Sequence, residues 1–311
     1  MVRPGAQASR ALVKRRDLAE HYNRRPQDAM VPPIPPRVLL VDADAALVGA
    51  LAAQPALKDV RLDQASGGVQ ALRLLRHCSY DVVLTSPRSP IPEDLALVEE
   101  MRLVRPGVKA IVLAPSALPE EIVAAVRAHA FSCFTEPFDA AELAEMIGRA
   151  LQNPDWKDGL QVISARADWL SLRVDCRRLA ADRLVQFLSE LAHDVPETTR
   201  DDLLSAFREI ALNAMEHGAG FAPDQVIEVA AVRTERAIVY YVKDPGPGYS
   251  PEQLAHAAVS NPPDDPLAHT ERRAELGLRP GGFGLLIARK VVDEFLHSER
   301  ANEVVLIKRL G

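Results

Sequence analysis

The sequence predicts an α/β protein in which a doubly wound (βα)5 domain is followed by an α/β sandwich domain. Between residues 38 and 151, apolar strand-like runs alternate five times with amphipathic helical segments. This rhythm stops at residues 152–159, where Asn, Pro, Asp and Gly cluster. The length of 311 residues also exceeds what one hydrophobic core usually organises. We therefore expect two domains.

The strands of the first domain are the apolar runs VLLV, DVRL, DVVLT, AIVLA and FSCF. Its helices are predicted over residues 45–54, 67–77 and 94–104, after Pro119, and over residues 140–151. Parallel strands need crossover connections, and strands buried on both faces read as continuous apolar runs. The pattern therefore predicts a parallel sheet with helices on both faces. Any doubly wound fold produces this rhythm, so it does not select a family by itself.

The second domain begins with two strand-like runs, LQVISA and WLSLRV, which precede helices over residues 178–192 and 198–217. Strands VIEVAAV and AIVYYVKD follow, then a Pro-rich loop, a helix from Gly282 and a final strand, EVVLIKRL. This order is typical of an α/β sandwich. We place a basic tail and Pro-rich linker at 1–36, the first domain at 37–151, a linker at 152–159 and the second domain at 160–311.

Composition limits the classes of partner. A net charge of −6 gives no field that would attract nucleic acid or an anionic membrane, and the basic residues before position 26 are interpreted as part of a solvated tail. The three cysteines lack metal-ligand spacing and fit a reducing compartment. No apolar run approaches the ~18 residues of a membrane span. We expect a cytoplasmic protein that binds neither nucleic acid nor membrane.

The first domain resembles the receiver domain of bacterial response regulators across residues 38–151. The phrases GGVQALRLL, SPRSP and FTEPF carry this resemblance at matching spacings. Receivers hold magnesium with an acidic pair, and here VDADA supplies Asp42 and, one residue late, Asp44.

The resemblance also implies that the phosphorylation chemistry of a receiver is lost. Ser86 stands at the phosphoacceptor position, and a hydroxyl does not replace a carboxylate as an acyl-phosphate acceptor. Ala114 replaces the hydroxyl residue, and Glu136 replaces the lysine that would pair with the phosphoryl group. We therefore expect a pseudo-receiver that serves as a docking or dimerisation module.

In the second domain, REIALNAMEHG places Glu209 and Asn213 four residues apart, hence on one helix face. An amide oxygen suits a hard cation, and a carboxylate can deprotonate a nucleophile, so the pair suits magnesium-dependent phosphoryl transfer. Such residues are also common on solvated helix faces.

Two glycine-rich segments follow. In DPGPGY, Asp244 can accept a hydrogen bond from an amino group such as that of adenine, and Gly246 and Gly248 allow close backbone approach; an ordinary Pro-Gly turn is the alternative. In RPGGFGLLIARKVVDE, glycines precede a helix whose free amides form an anion site.

Jointly, these three boxes resemble the ATPase family that includes histidine kinases, gyrase-type ATPases and Hsp90-type chaperones, whose fold is the Bergerat-type ATP-binding fold. The resemblance implies ATP and Mg²⁺ as cofactors, Glu209 as general base and Asn213 as metal ligand. The residues that it implies for nucleotide binding are Asn213, His217, Asp244, Gly246, Gly248, Gly281, Gly282, Phe283, Gly284 and Leu285. Pro280 departs from the pattern, because many histidine kinases have a further glycine there.

The arrangement of the second domain is similar to that of the anti-sigma-factor serine kinases. A histidine kinase also needs a helical hairpin that carries the phosphorylated histidine, and His193 stands in a sequence with a passing likeness to that motif. Only about twenty residues separate His193 from Asn213, which is roughly 30 Å even as one continuous helix, so there is no room for a second hairpin helix. The resemblance implies an ATP lid over residues 249–279, in which Arg272, Arg273 and Arg279 either contact phosphate or belong to a solvated charged loop.

We therefore expect an ATP-binding signalling protein, a serine/threonine protein kinase of the anti-sigma-factor type with a pseudo-receiver as input or docking domain. Its partner would be a protein, such as an antagonist or a sigma factor, and a homodimer is left open. The alternatives are a non-catalytic, nucleotide-gated protein that sequesters a signalling partner, and a histidine kinase fragment.

Overall fold

A parallel sheet organises the first domain in the computed structural model, which describes residues 35–153, 156–248, 275 and 284–311. Its five strands lie in the order β2-β1-β3-β4-β5, as expected for a doubly wound fold. They are β1 (Arg37–Val41), β2 (Arg61–Ala65), β3 (Val82–Leu84), β4 (Lys109–Ala114) and β5 (Ser132–Thr135). The central strands are buried along their length, which explains their continuous apolar sequence.

Five helices connect and follow these strands. They are α1 (Ala45–Ala52), α2 (Gly68–His77), α3 (Ile91–Val104), α4 (Pro119–Arg127) and α5 (Ala140–Leu151), and a short 3-10 turn covers Pro55–Leu57. Asp44 and Asp139 begin α1 and α5, because their carboxylates accept hydrogen bonds from the free amides of Leu47 (2.8 Å) and Ala141 (2.6 Å).

The second sheet is antiparallel and has six strands in the order β10-β11-β9-β8-β7-β6. They are β6 (Leu160–Arg166), β7 (Trp169–Asp175), β8 (Val226–Arg233), β9 (Ala237–Lys243), β10 (Glu294–His297) and β11 (Glu303–Arg309). Buried and partly exposed residues alternate along β8 and β9, so one face of the sheet lies against helices.

Among the described residues, the helices bounded in this domain are α6 (Arg178–Leu191), α7 (Glu197–Asn213) and α8 (Gly284–Val291). The predicted start of the last helix at Gly282 lies outside the described residues. Strand β10 was not predicted from the sequence, because its residues, EFLH, directly follow the helical pattern and are only partly buried or exposed.

The two sheets share a hydrophobic core. A single cluster of buried side chains includes Ile122, Val126 and Cys133 from the first sheet and its helices, together with Leu184 and Phe187 from α6. Both sheets fall within one compact unit that spans residues 36–311. Helix α6 packs against α4 and β5 on one side and against α7 on the other.

Among the described residues, no helix combines the length and the apolar character that crossing a membrane requires.

Candidate nucleotide-binding site

Helix α7 carries Glu209 and Asn213, which are both partly exposed on the same helix face. Directly after Asn213 the helix widens into a π-helical turn over Ala214–Gly218, in which the Ala219 amide bonds to the Ala214 carbonyl at 3.1 Å. Single π turns inside α-helices are frequent at functional sites. His217 lies exposed in this turn.

The π turn brings Gly218 against Asp244, the residue after β9. A Cβ atom at Gly218 would lie 2.2 Å from Cγ of Asp244, and one at Gly246 would lie 2.7 Å from the Gly218 carbonyl oxygen. Neither position can hold a side chain unless the chain moves. The end of the Asn213 helix and the Asp244 loop, which are distant in sequence, therefore form one surface.

The turn between β10 and β11 holds the Asp244 loop in place. The Asp244 amide donates to the Asn302 carbonyl at 3.0 Å, and Nδ2 of Asn302 donates to the Asp244 carbonyl at 3.4 Å. Gly248 adopts φ +83° and lies so close to the Arg300 carbonyl that no Cβ fits.

The Asp244 carboxylate is half-buried at this surface. Burial raises its pKa, and the hydrogen bond that Oδ1 accepts from the Gly246 amide at 2.8 Å opposes this shift. A carboxylate has several lone pairs, so it can accept a further hydrogen bond from an amino group. The backbone at Gly218 and Gly246 packs directly against this carboxylate, so the two glycines help to fix its position.

Only part of the predicted phosphate segment can be located. Gly284 and Leu285 begin α8, which packs along α7, and Leu285 is partly buried against the core. Gly281, Gly282 and Phe283 lie outside the described residues, as do the predicted lid arginines Arg272, Arg273 and Arg279.

The first domain places its predicted residues at the carboxyl ends of the parallel strands. Ser86 lies shortly after β3, is buried, and donates a hydrogen bond from its hydroxyl to the Asp42 carboxylate at 3.3 Å. The carboxylate of Asp44, by contrast, caps α1 and lies 3.8 Å from Arg88. No group of three acidic, histidine or cysteine side chains within the described ranges could hold a metal ion.

The remaining receiver positions also lie at this edge. Ala114 ends β4 and is buried, and its carbonyl accepts a hydrogen bond from the amide of the exposed Glu136 at 2.9 Å. Asp94, in the first turn of α3, is buried and accepts a hydrogen bond from the Thr85 hydroxyl at 2.8 Å. Burial raises the pKa of Asp94 to about 7.

His193 lies exposed just beyond the end of α6, where Nδ1 is 3.2 Å from the Glu190 carbonyl oxygen. It follows an ordinary helix end and belongs to the connection to α7 rather than to a helical hairpin of its own.

Sequence reasoning missed two residues of the candidate site. Gly218 is the last residue of the NAMEHG box, and its place in that box was the sequence signal that could have identified it. Asn302 acts through its backbone and amide on Asp244, and no sequence pattern marks such a contact across 58 positions.

Comparison with known proteins finds one family over part of the chain. The family model of the histidine kinase-like ATPase domain matches residues 172–308. The regulatory protein AtoC of Escherichia coli (strain K12) is 31% identical over 137 residues, which are 43% of this chain and 30% of that protein. The chain thus matches less than a third of that relative's length.

Solved receiver structures also resemble part of the chain. A CheY-like response regulator receiver domain protein from Methanospirillum hungatei JF-1 is 23% identical, with a TM-score of 0.35, and the match covers 39% of this chain and 98% of that one. A response regulator from Thermotoga maritima is 23% identical, with a TM-score of 0.35, and the match covers 38% and 99%.

The ATPase match covers β8 and β9, the strands that lead to Asp244, together with α7 and α8. The sheet before it has the parallel β2-β1-β3-β4-β5 order. The chain therefore combines a receiver-like domain with a histidine kinase-like ATPase domain.

Proposed function

We propose that the protein is an ATP-dependent serine/threonine protein kinase of the anti-sigma-factor type, in which the receiver-like domain no longer accepts phosphate. The observation that supports the proposal is the close approach of Gly218, at the end of the helix that carries Asn213, to Asp244.

Each residue has a distinct proposed role. Magnesium-bound ATP supplies the transferable phosphoryl group. The amide oxygen of Asn213 would ligate the cation, because hard cations prefer oxygen ligands. Glu209, one turn earlier, would accept the proton that a protein hydroxyl loses on attack. Asp244 would accept a hydrogen bond from the adenine amino group.

The receiver-like domain supports the proposal of a pseudo-receiver. A phosphoacceptor carboxylate is replaced by Ser86, whose hydroxyl is bonded to Asp42, and Asp44 is engaged in capping α1. The domain would act through contacts with proteins and with the ATPase domain. Its boundary to the ATPase domain stays proposed at residues 152–159.

The first prediction concerns the nucleotide. Magnesium-ATP should bind and raise the melting temperature, because a ligand that binds only the folded state stabilises it by mass action. Asp244→Asn should weaken binding of adenine nucleotides about tenfold or more, since an amide can present its NH₂ group to the adenine amino group. Isothermal titration calorimetry measures both. Absence of heat with the wild type at millimolar magnesium-ATP would refute the nucleotide site.

The second prediction separates a kinase from a sequestering protein. Glu209→Ala should lower the transfer rate by roughly 10² to 10⁴ while ATP still binds, because a general base acts in the transition state. Asn213→Ala should lose magnesium-ATP affinity as well. The assay uses labelled ATP and a partner isolated from the organism's own cytosol, followed by mass spectrometry.

The chemistry of the product decides among the alternatives. Phosphoserine and phosphothreonine survive an acid wash, whereas phosphohistidine does not. Acid-stable label on the partner supports the proposal, and acid-labile label supports a histidine kinase fragment. A wild-type protein that binds the partner in a nucleotide-dependent way and transfers no phosphate is a sequestering protein.

A further inference from the structure

Helix α6 carries a polar stripe that faces the receiver-like domain. Asp182, Gln186 and Glu190 are spaced four residues apart and hence share one side of the helix. Glu190 accepts hydrogen bonds from the Thr135 hydroxyl (2.5 Å) and amide (3.1 Å) at the end of β5. Gln186 donates to the Cys133 carbonyl at 3.4 Å. The stripe therefore binds the receiver-like domain along β5.

The first residue of this stripe is shared between two domains. Oδ2 of Asp182 lies 3.7 Å from Nη1 of Arg149, on the last helix of the receiver-like domain. Oδ1 of Asp182 accepts a hydrogen bond from Nε of Arg208 on α7 at 2.9 Å, and Nη2 of this arginine forms an ion pair with the same oxygen at 2.7 Å. The Asp182 side chain is only 13% exposed, so it is largely committed to these two arginines.

Arg208 immediately precedes Glu209, and Asn213 follows on the same helix. By holding Arg208, the Asp182 carboxylate restricts the rotation of α7 about its axis and its translation along that axis. Helix α7 is the element that carries Glu209 and Asn213. The first residue of α6, one turn before Asp182, reinforces this link, because Arg178 lies 3.7 Å from Glu216 in the π turn. Helix α6 thus contacts the receiver-like domain, α7 and the turn that reaches Asp244.

We propose that Asp182 is a positioning residue that couples the receiver-like domain to the nucleotide site by holding Arg149 and Arg208 on one carboxylate. This inference rests on the proposed function only for its effect on ATP. Its structural part, the fixing of α7 from the receiver side, stands without the nucleotide.

The charges determine what a substitution does. With Asp182 ionised, two guanidinium groups of opposite domains are attracted to one anion. Asp182→Asn keeps the shape of the side chain but removes its negative charge, so Arg149 and Arg208 repel each other across the contact between the two domains. Both arginines are well exposed, at 41% and 38%, so water screens this repulsion and the fold should survive. The expected effect is a displacement of α7 rather than unfolding.

The test uses the full chain and four variants. Asp182→Asn should weaken magnesium-ATP binding about fivefold by calorimetry, and Arg149→Ala, from the other domain, should weaken it about twofold to threefold. Adding Arg208→Gln to Asp182→Asn should weaken binding little further than Asp182→Asn alone, because both substitutions break the same link to α7. Arg173→Ala is the matched control, since its ion pair with Glu228 (3.9 Å) lies within the second sheet.

Amide hydrogen exchange provides a readout without nucleotide. Asp182→Asn and Arg149→Ala should each speed exchange in the last turns of α7, whereas Arg173→Ala should not. The proposal is wrong if Asp182→Asn leaves both the amide exchange of α7 and the magnesium-ATP affinity unchanged. It is also wrong if Asp182→Asn changes these two quantities and Arg149→Ala changes neither. If Asp182→Asn is poorly folded, Arg208→Gln takes its place with the same expectations.

The two proposals can fail separately. A wild-type chain that binds no magnesium-ATP refutes the proposed function, and the exchange measurements then still decide the coupling. A wild-type chain that binds magnesium-ATP, with variants that match it in both readouts, refutes the coupling alone.

Discussion

At the scale of single residues, the candidate site depends on two positions without a side chain as much as on the Asp244 carboxylate. Gly218 and Gly246 leave the space that the Asp244 carboxylate and the neighbouring backbone occupy. Asp244 and Gly246 could be predicted as candidates because a carboxylate and glycines after a strand form a short pattern in the sequence. It did not single out Gly218, since the contact with Asp244 joins segments that only the folded chain brings together.

Gly218→Ala tests this contact directly. The added Cβ would sit 2.2 Å from Asp244 Cγ, so the carboxylate or the loop must move. Overpacking of this kind typically costs about 1–3 kcal/mol, and ATP affinity should fall by about tenfold or more. Thermal melting and calorimetry measure the two effects.

A second glycine supplies the control for this substitution. Gly49 lies in α1 and a Cβ there meets nothing within 4 Å. Gly49→Ala should therefore leave ATP affinity unchanged and stabilise the fold by up to about 1 kcal/mol, since alanine is the better helix former. Wild-type ATP affinity in Gly218→Ala would show that the close contact is not needed for binding.

At the scale of elements, local pattern predicted most helices and strands. The five alternations of the first sheet and the strands β8, β9 and β11 were readable because buried strands and amphipathic helices have different periods. The π turn after Asn213 was not, because AMEHG fits an ordinary helix, and the wider turn follows from the approach of Gly218 to Asp244. Strand β10 is four residues long and, of the described strands, pairs with β11 alone, so tertiary context rather than its own sequence defines it.

Helix α6 shows a different limit of prediction. Its sequence predicts a helix over residues 178–192, and arginine side chains are seldom fully buried. In the fold Arg183 is 1% exposed, donates to the Phe131 (2.6 Å) and Ala130 (2.9 Å) carbonyls and lies 5.1 Å from the centres of the Phe131 and Trp156 rings. A buried arginine of this kind is stable because the receiver-like domain supplies its carbonyl acceptors and the linker segment supplies its counter-charge, Asp158, at 2.8 Å.

At the scale of the whole molecule, the receiver-like domain is a structural neighbour of the ATPase domain and not a tethered module. Its β5 and α4 side is covered by α6 and β6, and Arg127 donates to the Ala165 carbonyl of β6 at 3.2 Å. The sequence predicted the order of the two domains but interpreted residues 152–159 as a linker. It contained no sign that Asp158, within that segment, pairs with the buried Arg183.

The last prediction concerns phosphate chemistry in the receiver-like domain. Acetyl phosphate or beryllofluoride with magnesium should leave the NMR spectrum of the full chain unchanged around Asp42 and Ser86, because the acceptor carboxylate and the lysine are both absent. A functional receiver measured under the same conditions is the control. Clear shifts of the amide signals after β1 and β3 would contradict the pseudo-receiver proposal.

The hydrophobic cluster that runs from Ile122 and Val126 to Leu184 and Phe187 has a consequence for how such a gene can change. Signalling proteins often diversify by exchanging whole modules at flexible joints. Here a recombination between the two halves would leave an apolar surface open on each, and a new neighbour would have to match it in shape. The two halves should therefore be inherited together, and substitutions on one side of the cluster should be accompanied by compensating substitutions on the other.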